Sequence, residues 1–184
     1  LGMHNGKIPR GAIQDPLGKR YWPVYRGRDM SRTPMQWDRT PSAGFSTADP
    51  WLPLNPDWGL INVENQLAMP ESLLRHTRHL LHLRKGSRAL QTGSFQWTEG
   101  LPRTCLGYRR AQGDEVFQIL VNFSRFPVRF SSPWAGDGSW ETVASSLPGP
   151  VRSPEDAAGQ VKLRGREGLI LKKQAAAESG TASS

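Results

Sequence analysis

Three regimes of hydrophobic patterning follow one another along the chain. Over residues 1–68 the apolar positions keep neither a helical period nor a strand alternation. Turn signals recur instead: His4-Asn5-Gly6, Asp15-Pro16-Leu17-Gly18, Pro41-Ser42-Ala43-Gly44, Asp49-Pro50 and Asn55-Pro56-Asp57. So long a stretch without regular structure predicts an ordered loop that lies on a scaffold, not a free-standing domain. Residues 70–90 predict one helix. Leu73, Leu74, Thr77, Leu80 and Leu81 fall at i, i+1, i+4, i+7 and i+8 and form a single apolar stripe. Pro70 suits the first helical position, Glu71 the positive end of the dipole, and Arg84 and Lys85 the negative end before Gly86.

Residues 91–173 switch to short alternating runs and predict a small antiparallel β domain. Thr104 to Arg110 reads as one strand, Ala111-Gln112-Gly113-Asp114 as a turn, and Glu115 to Phe123 as the strongest strand. Phe117, Ile119, Val121 and Phe123 share one face of it, and Val116, Gln118, Leu120 and Asn122 the other. Apolar residues on both faces predict a central strand. Val128 with Phe130, Trp140 to Val143, Val161 with Leu163, and Leu169 to Leu171 supply further strands, a spacing that suggests a β-sandwich. Asn122-Phe123-Ser124 matches a glycosylation sequon but sits in the central strand and is discounted. Residues 174–184, Ala- and Ser-rich, predict a disordered tail.

The densest polar chemistry lies at Gly27-Arg28-Asp29-Met30-Ser31-Arg32-Thr33-Pro34-Met35-Gln36-Trp37-Asp38, followed by Ala43-Gly44-Phe45. Pro34 lacks an N–H and disfavours a helical Thr33, so this is loop. Two readings stay open on residue types alone. Arg28, Asp29, Arg32 and Asp38 can pin a long loop by ion pairs, or an arginine fork and an aromatic plate can line a site for a hydroxyl-rich or anionic ligand.

That stretch resembles the signature of the α-glucosidase branch of glycoside hydrolase family 13, which includes oligo-1,6-glucosidases, maltases and trehalose synthases. Ile8-Pro9, Gln14-Asp15-Pro16 with Gly18, Trp22-Pro23, Trp51-Leu52-Pro53-Leu54-Asn55-Pro56 and Asn62-Val63-Glu64 with Gln66 resemble the same enzymes, in order, as far as about Leu90. The resemblance implies a mixed fold: residues 1–90 as the last loop and helix of a catalytic (β/α)8 barrel, incomplete here, then residues 91–173 as a C-terminal antiparallel β-sandwich, then the tail 174–184. In the family an aspartate precedes the proline at the start of this helix. Met69 stands there, a departure expected to cost about 1 kcal/mol of capping.

The resemblance also assigns roles. Arg32 is expected to reach the sugar pocket, where its fork of donors binds hydroxyls and pairs with an active-site aspartate. Arg28, Asp29 and Trp37 are candidates for ordering the loop. The family's catalytic carboxylates follow earlier barrel strands, so no residue here inherits a catalytic role. A retaining glycosidase needs two carboxyls about 5–5.5 Å apart, and no second carboxyl is placed to work with Asp15, Asp29 or Asp38. The expected activity is hydrolysis of terminal α-linked glucose from an oligosaccharide or disaccharide, exercised only with the missing barrel, the chain alone being inactive. A trehalose synthase fragment and a non-catalytic glucosidase-like or structural module are the alternatives. No cofactor or metal is implied.

Composition changes this picture little. Apolar residues make up 36%, enough for a core, and Gly 19 with Pro 15 fits loops and short strands. Trp22, Trp37, Trp51 and Trp58 sit in the loop-rich part, where indoles stack on sugars or pin loops. The net charge of +8 raises a nucleic-acid reading. The excess, however, concentrates at Arg75, Arg78, Arg84, Lys85 and Arg88, a solvated helix face without interleaved aromatics, which excludes that class. His76, His79 and His82 follow a spacing of three, but no carboxylate joins them, so a metal site is not expected. The single Cys105 excludes an internal disulfide, fits a reducing cytoplasm, and reads as a buried, inert thiol. No apolar run reaches membrane-spanning length and no signal peptide is evident. The start at Leu1 reads as mid-architecture.

Overall fold

Side chains acting on backbone groups, more than a hydrophobic core, organise the first part of the chain. The structure, a computed structural model, describes residues 1–134, 136–150, 153 and 159–174. It divides into two units, Leu1–Arg78 and His79–Ser184.

In the first unit helices are short: α1 (Pro16–Arg20), α2 (Val63–Ala68), and three 3-10 turns at Arg10–Ala12, Asp29–Ser31 and Pro41–Gly44. Asp15-Pro16-Leu17-Gly18, expected as a turn, is a helix start. The Asp15 carboxylate accepts from the Leu17 and Gly18 amides, and Pro16 occupies the first position, where an N–H would have no partner. α2 begins the same way, with the Asn62 side chain accepting from Asn65 N–H at 2.8 Å. The buried apolar side chains of this unit are Ile13, Pro34, Ala43 and Leu52, whereas Asp15, Asp29, Gln36, Asn55, Asn62 and Ser72 are buried polar groups. Such an interior is stable only if each of those groups finds partners.

Helix α3 (Leu73–Lys85) starts in the first unit and ends in the second. It corrects the expected helix 70–90 at both ends. Ser72, not residue 69, provides the cap: its hydroxyl accepts from Arg75 N–H at 3.2 Å and donates to the Gln66 carbonyl at 2.6 Å, while Gln66 Oε1 accepts from Leu74 N–H at 2.9 Å. With those amides satisfied the helix begins at Leu73, and Met69 costs no cap. At the other end Ser87 caps a separate helix, α4 (Arg88–Thr92), and the chain breaks at Gly86. No residue of α3 is buried, and Leu73 and Leu81 are exposed.

Among the described residues the second unit holds seven strands: β1 (Ser94–Trp97), β2 (Cys105–Gln112), β3 (Glu115–Asn122), β4 (Val128–Ser131), β5 (Trp140–Ser145), β6 (Gln160–Leu163) and β7 (Gly168–Lys173). One five-stranded antiparallel sheet runs β1-β2-β3-β7-β5, and β4 pairs with β6 in a second, two-stranded sheet. β3 is central, flanked by β2 and β7, as its doubly apolar pattern predicts. Val116 and Leu120 on one face join Phe130, Val161 and Leu163 of the small sheet in the main core. Phe117 and Ile119 on the other face pack with Ala89 of α4. Strand β1 has no counterpart in the sequence reading: its four residues, Ser94-Phe95-Gln96-Trp97, alternate in polarity, but the run is short and all of it is exposed.

A backbone crossing closes the far end of β3. Buried Asn122 donates to the carbonyls of Phe126 and Arg164 at 2.8 and 2.9 Å and accepts from Ser124 N–H at 2.9 Å. Its amide nitrogen is fully committed, which bars a glycan there. Cys105 is half-buried, and burial raises its thiol above the ordinary value, so it stays protonated and inert. The tail expected at 174–184 lies, from residue 175 on, outside the described residues. Among the described residues no helix is long and apolar enough to cross a membrane, and no group of three or more His, Cys, Asp or Glu could hold a metal ion.

Candidate functional site

Two buried carboxylates build the start of the Gly27–Asp38 loop, Asp29 holding the Asp15 amide and Asp15 holding that of Arg28, the residue before Asp29. Asp29 Oδ2 accepts from the amides of Gln14 and Asp15 at 2.6 and 2.8 Å. Asp15 uses Oδ1 for the α1 cap and accepts from Arg28 N–H on Oδ2 at 3.2 Å. The chain segments 14–18 and 26–29 are thereby locked together. Contact between them is so close that a Cβ on Gly18 would lie 2.9 Å from the Arg26 carbonyl oxygen, and one on Gly27 2.8 Å from Asp15 Cβ, with Gly27 also at a φ of +75° in the left-handed region.

The Gly18 and Arg28 amides, with smaller help from the Leu17 amide and the Arg28 charge, outweigh burial and hold the Asp15 carboxyl below its ordinary 3.8. A carboxyl lowered in the folded state contributes stability that is complete above its unfolded value and is lost as pH falls through the folded one. Unfolding midpoints of the wild-type chain are therefore expected to fall below about pH 4, and an Asp15→Asn chain to show a flatter decline there. Parallel pH profiles of the two by urea denaturation check this.

The sequence-predicted residues occupy distinct environments. The Arg28 side chain is 68% exposed, with its Nε 3.8 Å from Asp15. Arg32 is fixed at its backbone by a hydrogen bond from its N–H to the Asp29 carbonyl at 2.9 Å. Its side chain, by contrast, is 47% exposed, and Nη1 lies 4.0 Å from Asp29 Oδ1. Most of that guanidinium's donors are open to a ligand. Trp37 is 49% exposed. Its main chain does the ordering: its N–H donates to the Ala43 carbonyl at 2.8 Å, and its carbonyl accepts from Glu64 N–H at the start of α2 at 3.0 Å.

Gln36, left without a role by the sequence reading, is fully buried. Its side-chain amide donates to Asp57 at 3.2 Å and to the Ile61 carbonyl at 2.6 Å, and its main-chain carbonyl accepts from Val63 N–H at 3.0 Å. Behind it Ser42 (φ 56°) and Ala43 (φ 55°) are left-handed, conformations that cost non-glycine residues about 1 kcal/mol or more each. Asp38, whose carboxyl accepts from the hydroxyl and amide of Thr40 and is held below its ordinary value chiefly by that hydroxyl, closes the same turn. The Asp15-Pro16 cap signature and the Asn62 cap were the sequence signals available for these supports. Gln36 offered none.

Comparison with known proteins places the chain in a family. The family model described as alpha amylase, catalytic domain, matches residues 1–93. A probable alpha-glucosidase of Rhizobium meliloti (strain 1021) is 37% identical over 144 residues, covering 75% of this chain and 26% of the relative. An oligo-1,6-glucosidase of Parageobacillus thermoglucosidasius is 36% identical over 120 residues, 65% of this chain and 21% of the relative. The crystal structure of the trehalulose synthase MutB from Pseudomonas mesoacidophila MX-45 superposes with a TM-score of 0.74 at 29% identity, covering 94% of this chain and 34% of that one. The class these relatives define is the glycoside hydrolases with barrel catalytic domains. Within it, the chain belongs to the α-amylase family, glycoside hydrolase family 13. It spans about a quarter of the length of the curated relatives it matches.

Proposed function

We propose that this chain is the C-terminal part of a retaining α-glucosidase acting on short α-linked oligosaccharides or disaccharides. Residues 1–90 supply the last loop and helix of its (β/α)8 barrel, and residues 91–173 its C-terminal β-sandwich. The carrying observation is Arg32: half-exposed, backbone-anchored, and held beside the buried Asp29 in the part matched by the catalytic-domain model. A planar fork on a fixed backbone is suited to sugar hydroxyls and to a neighbouring carboxylate. The buried carboxylates Asp15 and Asp29 are engaged by backbone amides, which supports a positioning role for them and a catalytic pair contributed from elsewhere. The exposed leucines of α3 are consistent with a sheet missing beneath them.

The test is hydrolysis of a chromogenic α-glucoside by this chain alone and by a chain extended to the length of its relatives. The short chain is expected to be inert and the extended one active. Arg32→Ala in the extended enzyme is expected to lower kcat/KM about 100-fold with an unchanged melting temperature, and Arg32→Lys to recover little. Activity in the short chain, or an Arg32→Ala enzyme with normal kcat/KM, would overturn the reading. The similarity to a trehalulose synthase favours one second reading, a glucosyl-transferring isomerase. Product analysis with sucrose separates the two, hydrolysis giving free glucose and fructose and isomerisation a new disaccharide.

A further inference from the structure

In the second unit a five-stranded sheet is faced by a sheet of only two strands. The smaller sheet covers β3, β7 and β5, where Val116, Leu120, Leu169, Leu171 and Trp140 form the core. Toward the β1 edge the same inner face changes character. Gln96 on β1 is the register partner of Arg109 on β2, which is the partner of Gln118 on β3. Directly opposed residues project from one face, so these three form a polar row, on the face that carries Val116 and Leu120 two residues to either side of Gln118. An amide–guanidinium–amide row where coverage ends is unusual for a sandwich interior.

A cleft of about 550 Å³ opens over this row, with Thr98 and Glu99 at its rim and Pro133 and Trp134 as a wall. Its floor is built. Gln118 is 3% exposed and donates to the Thr98 hydroxyl at 2.5 Å. Trp134 is 5% exposed and packs its ring against Trp140, centroids 5.5 Å apart. Arg109 is held by Asp137 at 2.9 Å, and Lys173 binds the other oxygen of that carboxylate at 2.6 Å.

We propose that this cleft is a second carbohydrate site, taking a neutral, hydroxyl-rich ligand such as a short oligosaccharide. Charge selects the class. Arg109 and Lys173 are balanced by Asp137 and Glu99, so an anion meets a neutralised guanidinium and a repelling carboxylate, and a cation meets Arg109. Sugar hydroxyls each donate and accept, which matches two amides, a hydroxyl and a carboxylate. Pro133 and the edge of the Trp134 ring left uncovered by the core give the cleft an apolar wall, and the volume lies within the roughly 300–1,000 Å³ of ligand clefts. The site is independent of the Gly27–Asp38 loop and of the reading given to Arg32.

The test is titration of the ¹⁵N-labelled full chain with maltotriose, with inorganic phosphate as the charged comparison. Saturable shifts are expected at the Gln96 and Gln118 side-chain amides and the Trp134 indole N–H, with millimolar affinity. Gln96→Ala, a change on an exposed edge-strand residue, is expected to weaken binding about three- to tenfold, the loss of one neutral hydrogen bond. Gln118→Leu is expected to abolish it, with the wild-type spectrum elsewhere as proof of folding. No saturable shift up to about 50 mM sugar, shifts confined to residues 27–38, unaltered binding in Gln96→Ala, or stronger shifts with phosphate would each overturn the proposal. Shifts at residues 27–38 alone would do so while leaving the glucosidase reading intact.

Discussion

Asp29→Ala is expected to destabilise the first unit by about 3–4 kcal/mol. The carboxylate is 1% exposed and is the partner of two amides, Gln14 N–H and Asp15 N–H. Each buried donor left without an acceptor costs about 1–3 kcal/mol, and hydrogen bonds to a charged oxygen lie toward the top of that range. The damage also propagates. Freeing Asp15 N–H loosens the residue whose side chain caps α1 and holds Arg28 N–H. Asp29→Asn separates the causes. Its amide oxygen can still accept both bonds, so only the charge is lost. The remaining charge contact, to half-exposed Arg32 at 4.0 Å, is worth less than 1 kcal/mol. Asn is therefore expected to cost about 1 kcal/mol. Amide hydrogen exchange at residues 13–18 and 26–32 reads the effect in the unit concerned. Equal losses of protection in the two variants would show that charge, not amide satisfaction, holds the loop.

Gly165→Ala is expected to cost about 3 kcal/mol in the second unit, although it adds one methyl group. A Cβ at that position would lie 2.1 Å from the Arg125 carbonyl oxygen and 2.5 Å from its carbon. Both are backbone atoms and cannot rotate away. They are held there because Asn122 ties the carbonyls of Phe126 and Arg164 together and Arg166 N–H donates to the Ser124 carbonyl at 2.8 Å. The strain must therefore be relieved by opening the crossing. Thermal unfolding followed by near-ultraviolet circular dichroism checks this, since Trp134 and Trp140 lie in the adjoining core. A variant within about 0.5 kcal/mol of wild type would show the crossing to be loose.

The β domain was legible because its strands are bounded by turns and alternate in polarity. β2, β3 and β5 lie within two residues of the predicted spans, and the two-faced pattern of Val116 to Asn122 correctly placed β3 at the centre. β1 was not read: Ser94-Phe95-Gln96-Trp97 alternates in polarity, but over only four exposed residues, too short a run to stand out from the loop around it. The helix at 70–90 was found from its leucine stripe but misplaced at both ends. Ser72 and Ser87 cap with side-chain support from Gln66, outside the helix, and from Glu115, 28 residues on, contacts that periodicity cannot see. In the first unit α1 was hidden inside a turn signature, since Asp-Pro opens both turns and helices.

By itself the sequence determined the family, through the ordered motifs from Ile8 to Gln66, and determined that the second half forms an antiparallel β domain. Both are properties of residue order: motifs are local strings, and strand alternation repeats every two residues. Only the tertiary structure decided which polar residues of the loop are structural. Asp29, with Asp15 beside the loop, is buried because backbone amides 13 to 15 residues away meet it, and Gln36 because it reaches the Asp57 carboxylate and the Ile61 carbonyl, whereas Arg32 and Trp37 remain half-exposed. Composition cannot tell these apart, because an aspartate's role depends on whether a buried N–H reaches it. Tertiary structure also decided the polar row of Gln96, Arg109 and Gln118, which are scattered along the sequence and become neighbours only through strand register.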